Sequence, residues 1–161
     1  MTLATLYSRI QERSKMGSNI ATFEIDDLAQ GEEFSFEKKI SSSDVDMFAR
    51  LTGDNSPLHM EDTFARKRGF KSRVVHGGLL VGCISQLVGV YFPGENSVIQ
   101  TLNIKFSHPA YIGDVLKIHS IIDQISESMG TIILKLAITN QNTGQVLLKS
   151  KVQVGFTNQN L

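Results

Sequence analysis

The hydrophobic pattern of the chain changes period several times. From Glu32 to Ile40, Phe34, Phe36 and Ile40 fall on one side of a two-residue repeat, which predicts a strand. The rhythm then becomes helical: Val45, Phe48, Ala49 and Leu51 share a face, Ser43 serves as N-cap with Asp46 three residues on, and Gly53 ends the helix. Asp54-Asn55-Ser56-Pro57 is turn chemistry, in which short polar side chains bond nearby backbone and proline pushes Ser56 out of the helical region. A second short helix is predicted over about residues 61–68. From Leu79 to Phe92 apolar side chains point in nearly every direction of a helical wheel, so this helix must be covered all round, and it ends at Pro93-Gly94. Gly77, Gly78, Gly82 and Gly89 each weaken it by up to about 1 kcal/mol relative to alanine, which implies that something approaches its backbone. Alternation then returns over 98–106, 115–125, 131–139 and 146–156, with 126–130 and 140–144 short enough for antiparallel hairpins.

These elements predict an α+β domain: a five-stranded antiparallel sheet curled around one long central apolar helix, the hot-dog arrangement. Such a sheet has two edge strands, which invite pairing with a second copy, so a homodimer or a higher oligomer of dimers is expected. Leu3, Leu6, Tyr7 and Ile10 fall at helical spacing and predict a short amphipathic helix. The division expected is an N-terminal extension over 1–21, with its KMGSN linker, and the hot-dog domain over 22–161.

Composition narrows the partners. The chain has 161 residues, enough for one domain and little more. Its 16 Lys+Arg balance 16 Asp+Glu, so no basic field exists to hold nucleic acid or an anionic membrane. The apolar window 78–92 carries Ser85 and Gln86 and is shorter than the roughly 20 residues of a bilayer span. The single Cys83 excludes an intrachain disulfide and a thiolate metal cluster, and suits a reducing, cytoplasmic setting.

The candidate chemistry lies in LTGDNSPLH (51–59), where Asp54 and His59 stand five residues apart across Pro57. Asp54 alone reads as a local cap and His59 alone as a surface residue. They directly precede a helix that opens His76-Gly77-Gly78, whose free N–H groups can hold an oxyanion or a polarised carbonyl. A carboxylate and an imidazole can hold one water between them, while the N–H groups stabilise an enolate. His76 reads more readily as a residue that fixes the helix start by hydrogen bonding than as a third catalytic group. Ser85 either bonds back to its own helix or points into a pocket. His108 and His119 are expected on the solvent side, and Cys83 as a small core residue rather than a nucleophile. A metal site from Asp54, His59 and Asp62 matches no familiar ligand spacing, so neither metal nor redox cofactor is expected. Arg66, Lys67, Arg68, Lys71 and Arg73 form either a solvated face or a site for phosphates, and are the one visible dock for an acidic partner.

Three segments in order, FARLTGDNSPLHMEDTFA (48–65), VHGGLLVGCIS (75–85) and QTLNIKFSHPAYIGD (100–114), resemble the MaoC-like, or hydratase-2, hot-dog family of (R)-specific enoyl-CoA hydratases. The resemblance covers about Glu32 to Phe156. It implies that Asp54 and His59 bind the water added across a trans-2-enoyl thioester, carried by CoA or an acyl-carrier protein. It also implies that the Gly77 N–H holds the thioester oxygen and that Ser85 takes the place of a pocket serine. Two positions depart from the family. Ser56 stands where the family has Asn, with a shorter reach to water or Asp54, and Gly78 stands where a larger apolar side chain is usual. Two alternatives remain at this stage. A hot-dog thioesterase would generally need an acid on the central helix, and Leu79 to Phe92 has none; a non-catalytic acyl-thioester binding module would read Ser56 as a mark of decay.

Overall fold

The computed structural model describes residues 20–157; the predicted N-terminal helix lies outside them. Five strands, β1 (Glu33–Lys39), β2 (Ser97–Phe106), β3 (Val115–Ser126), β4 (Thr131–Asn140) and β5 (Val146–Phe156), form one antiparallel sheet in the order β1-β3-β4-β5-β2. Between β1 and β2 in sequence come α1 (Ser42–Thr52), α2 (Pro57–Met60), α3 (Asp62–Lys67) and the central helix α4 (Gly77–Gln86), which continues as a π turn over Leu87–Tyr91. The sheet and helix are those that the hydrophobic pattern predicts.

The core is the inner face of the sheet closed on α4. Leu116, Ile118 and Ile122 of β3, Leu134 and Ile138 of β4, and Leu148, Val152 and Val154 of β5 are buried against Leu80, Ile84, Leu87 and Val88. Ala21 and Phe23 are also fully buried, and the Ala21 N–H donates to the Val90 carbonyl, so the chain joins the body there. Phe23 packs edge-on against Phe92, ring centroids 5.8 Å apart.

Three details differ from the sequence expectations, each for a local reason. The N-cap of α1 is Ser41, not Ser43: the Ser41 hydroxyl accepts from the Asp44 N–H and the Asp44 carboxylate accepts from the Ser41 N–H, a reciprocal capping box. Strict alternation fails in β2, where a bulge between Ile99 and Thr101 shifts the register. Ile99 then shares the inner face with Leu102, Ile104 and Phe106, while the Gln100 side chain folds over Gly155, where a Cβ would collide with it. Finally, α4 is not covered on all sides. Gly78, Gly82, Ser85 and Gly89 form an exposed stripe of small residues, and β2 lies beside it as an edge strand with Leu102 and Phe106 exposed.

Candidate active site

Gly53 ends α1 at φ 76°, a left-handed conformation that costs glycine little, and so turns the chain sharply into Asp54. One Asp54 oxygen accepts from the Ser56 N–H at 3.3 Å, as the local reading of this turn expects. Pro57 then opens α2 at a position where its missing N–H costs nothing, and this single turn carries His59.

His59 is held by the segment that leads into α4. Its Nδ1 lies 2.7 Å from the Val74 carbonyl, which can only accept, so Nδ1 carries the proton and Nε2 presents a free lone pair. The Val74 N–H donates to Leu58 O at 3.1 Å, and Arg73 Nε donates to the His59 carbonyl at 2.6 Å. The Arg73 guanidinium also pairs with Asp46 of α1, and its main-chain N–H donates to Asp62 at 2.8 Å. Arg73 thereby joins α1, α2 and α3 from behind the imidazole, and is not part of a free phosphate-binding cluster. Its neighbours are engaged as well: Arg66 with Asp62 at 3.4 Å, Arg68 over the Phe64 ring and Lys71 over the Tyr111 ring. Asp62, once a metal-ligand candidate, is occupied by these two arginines.

His76 caps the start of α4 and is 1% exposed. Its Nε2–H donates to the Asp54 carbonyl at 3.0 Å and lies 3.9 Å from the Asp54 carboxylate, and its ring stacks on His59 with centroids 3.9 Å apart. One ligand-type atom from each of Asp54, His59 and His76 lies within 4.8 Å of the others. Two groups that far apart can share one water, whose hydrogen bonds are each about 2.8 Å long. The same trio is the set among the described residues with metal-ligand chemistry. Its two imidazoles are stacked within 29° of parallel.

Directly after His76, the N–H groups of Gly77 and Gly78 lie in the first turn of α4, where no intrahelical acceptor exists. Both glycines face aromatic rings. A Cβ on Gly77 would lie 3.0 Å from Phe106 Cζ, and one on Gly78 would lie 2.6 Å from Phe48 Cζ. Phe48 also packs on the His76 ring at 4.9 Å. The Phe48 ring therefore fills the space that a larger side chain at position 78 would need, which gives a physical reason for this departure from the family pattern.

The other residues singled out in the sequence are placed as follows. Ser56 is exposed and its hydroxyl caps nothing. Ser85 lies on the exposed stripe of α4, about two turns beyond Gly78. Cys83 is buried, burial pushes its thiol pKa up, and its Sγ points at Leu79 O, so it is a core residue. His108 and His119 are on the solvent side, against the Val146 carbonyl and Glu33 respectively. Sequence reasoning missed the Arg73 clamp, because a charge cluster in sequence does not reveal which of its members folds inward.

Comparison with known proteins identifies the family and the fold. Residues 26–140 match the family described as MaoC like domain. An (R)-specific enoyl-CoA hydratase of Rhodospirillum rubrum is 36% identical over 91 residues, 56% of this chain and 63% of that protein. A mitochondrial 3-hydroxyacyl-[acyl-carrier-protein] dehydratase of Arabidopsis thaliana is 37% identical over 87 residues, 54% of this chain and 51% of that protein. The chain thus spans between half and two thirds of these relatives' lengths. Among solved structures, the (R)-hydratase from A. caviae involved in PHA biosynthesis superposes with a TM-score of 0.76 at 27% identity, covering 80% of this chain and 97% of that one. With the family match extending over most of the chain, from ahead of β1 to the end of β4, the protein belongs to the MaoC-like domain family.

Proposed function

We propose that this chain is a hydro-lyase that adds water reversibly across the C2=C3 bond of a trans-2-enoyl thioester, giving the (R)-3-hydroxyacyl thioester. The observation that carries the reading is the proximity of Asp54 and His59, within 4.8 Å, at the mouth of a helix whose first amides are free. His59 Nε2 takes a proton from the shared water, the oxygen bonds to C3, and the electron pair of the double bond moves through C2 onto the thioester oxygen. The Gly77 N–H, with that of Gly78, stabilises this enolate. A proton returned from the Asp54–His59 pair to C2 completes the addition, and the reverse sequence dehydrates the product. Neither metal nor redox cofactor takes part in this scheme. The (R) configuration and the thioester substrate rest on similarity to the relatives named above.

In the same reading, the chain works as a homodimer. Support comes from β2, an edge strand whose inner-face Leu102 and Phe106 are 37% and 52% exposed, beside the uncovered stripe of α4. Such an edge invites a second copy.

The test is loss of the conjugated enoyl-thioester absorbance with crotonyl-CoA, paired with detection of free thiol and chiral analysis of the product. The proposal expects hydration to (R)-3-hydroxybutyryl-CoA without thiol release. Thiol release in place of hydration would make the chain a thioesterase, and saturable binding without turnover on any enoyl chain length would make it a binding module.

A further inference from the structure

The outer face of the sheet is divided by charge. On the β1–β3 side, acids stand against bases: Glu37 is the direct cross-strand partner of Lys117, and Glu33 lies 3.4 Å from His119. Strands β2, β4 and β5 contain four lysines, Lys105, Lys135, Lys149 and Lys151, and no Asp or Glu. This happens in a chain that has 16 acids and no net charge. Register sets these lysines against one another, Lys105 opposite Lys149 and Lys151 opposite Lys135. Like charges directly opposite destabilise a sheet. Asp123 takes Lys135 at 2.6 Å, while Lys105, Lys149 and Lys151 have no anionic partner among the described residues.

With His119, these lysines rim a depression of about 460 Å³ floored by Ile121 and Ala137. The cationic rim reaches from β2 across β5 to β4, roughly 10 Å at ordinary strand spacing. That is wider than a single phosphate needs, and a cationic rim around an apolar floor fits a folded partner that presents carboxylates around an apolar contact. The location matters too. Lys105 and Phe106 are consecutive on β2, so their side chains point to opposite faces: Lys105 rims the depression, and the Phe106 ring borders Gly77. The basic face and the mouth of the site meet at the same strand end, joined by the exposed Ser107 and His108.

We infer that this lysine face is the docking surface for a carrier protein with an acidic surface, which presents the thioester on its flexible arm to Asp54 and His59; the inference rests on the hydratase reading of that site. The experiment compares wild type with the triple variant Lys105→Gln/Lys149→Gln/Lys151→Gln, and with Lys117→Gln as a control on the same face. Each is assayed for kcat/KM on crotonyl-CoA and on a crotonyl-loaded acyl-carrier protein, and titrated with that loaded carrier by calorimetry. The expected result is a loss of at least tenfold in carrier affinity and in carrier kcat/KM for the triple variant, with crotonyl-CoA changed by less than twofold and Lys117→Gln like wild type. Raising NaCl from about 50 to about 500 mM should weaken the wild-type carrier interaction far more than that of the triple variant. The docking inference is overturned if the carrier fails to bind wild type, if the triple variant binds it equally well, or if both substrates lose activity together. Carrier binding that depends on the lysines without turnover of either substrate would uphold the docking surface and overturn the hydratase reading instead.

Discussion

Replacing Gly78 by alanine tests the packing that closes the site. A Cβ at position 78 would stand 2.6 Å from Phe48 Cζ and 3.3 Å from Cε1, so the ring must move. Its retreat is hindered because the ring also packs on His76 at 4.9 Å. Overpacking of this kind costs about 1–3 kcal/mol, against about 1 kcal/mol gained from alanine's helix propensity, so Gly78→Ala should destabilise by up to about 2 kcal/mol. In a Phe48→Ala background the obstacle is gone and the same substitution should be neutral or stabilising by up to about 1 kcal/mol. Urea denaturation of wild type, both single variants and the double variant gives the coupling directly, expected at about 1–3 kcal/mol. A coupling below about 0.5 kcal/mol would refute the claim that Phe48 is what keeps residue 78 a glycine.

Three further outcomes follow from the same structure. Arg73→Met removes the donor to the His59 carbonyl and the partner of Asp46; it should lower kcat at least tenfold on crotonyl-CoA with KM changed less than twofold, and Arg73→Lys should restore only part of it. Cys83→Ala should keep kcat within twofold, and the wild-type thiol should react slowly with iodoacetamide in the folded protein, because burial holds its pKa up. Asp44→Asn should destabilise the fold by about 1 kcal/mol at neutral pH, as loss of a cap does. The hydrogen bond from the Ser41 N–H holds the Asp44 carboxyl below its ordinary pKa, so its contribution is present above the usual carboxylate range and fades as pH falls through the depressed value; urea midpoints of the two proteins should converge in acid.

The sheet and the central helix were legible because their apolar periods are long. Leu116, Ile118 and Ile122 alternate cleanly, and Leu79 to Phe92 has apolar residues on most sides. What escaped was decided by tertiary contacts. The bulge at Gln100 inverts half of β2 and comes with a side chain lying over Gly155, a partner some fifty residues away that no local pattern reports. Within one chain the helix is left open along Gly78, Gly82, Ser85 and Gly89, where small residues form the uncovered face. In the site, Asp54, His59 and the glycine pair could be named from the turn and helix-start chemistry. His76 as the stacked partner of His59, and Arg73 as the clamp behind it, emerge only when the segment 73–76 is laid against 54–59. The lysine face was hidden for a similar reason: Lys105, Lys135, Lys149 and Lys151 are scattered in sequence and become neighbours only through strand register.

The central claim is that Asp54 and His59 act on one and the same water, and the double variant Asp54→Asn/His59→Gln tests it most directly. If they share that water, each single substitution should lower kcat/KM on crotonyl-CoA by about 10²–10⁴-fold, and the double variant should fall to the same floor as the worse single variant rather than to the product of the two losses. Activity within tenfold of wild type in either single variant, or losses that multiply in the double variant, would contradict it.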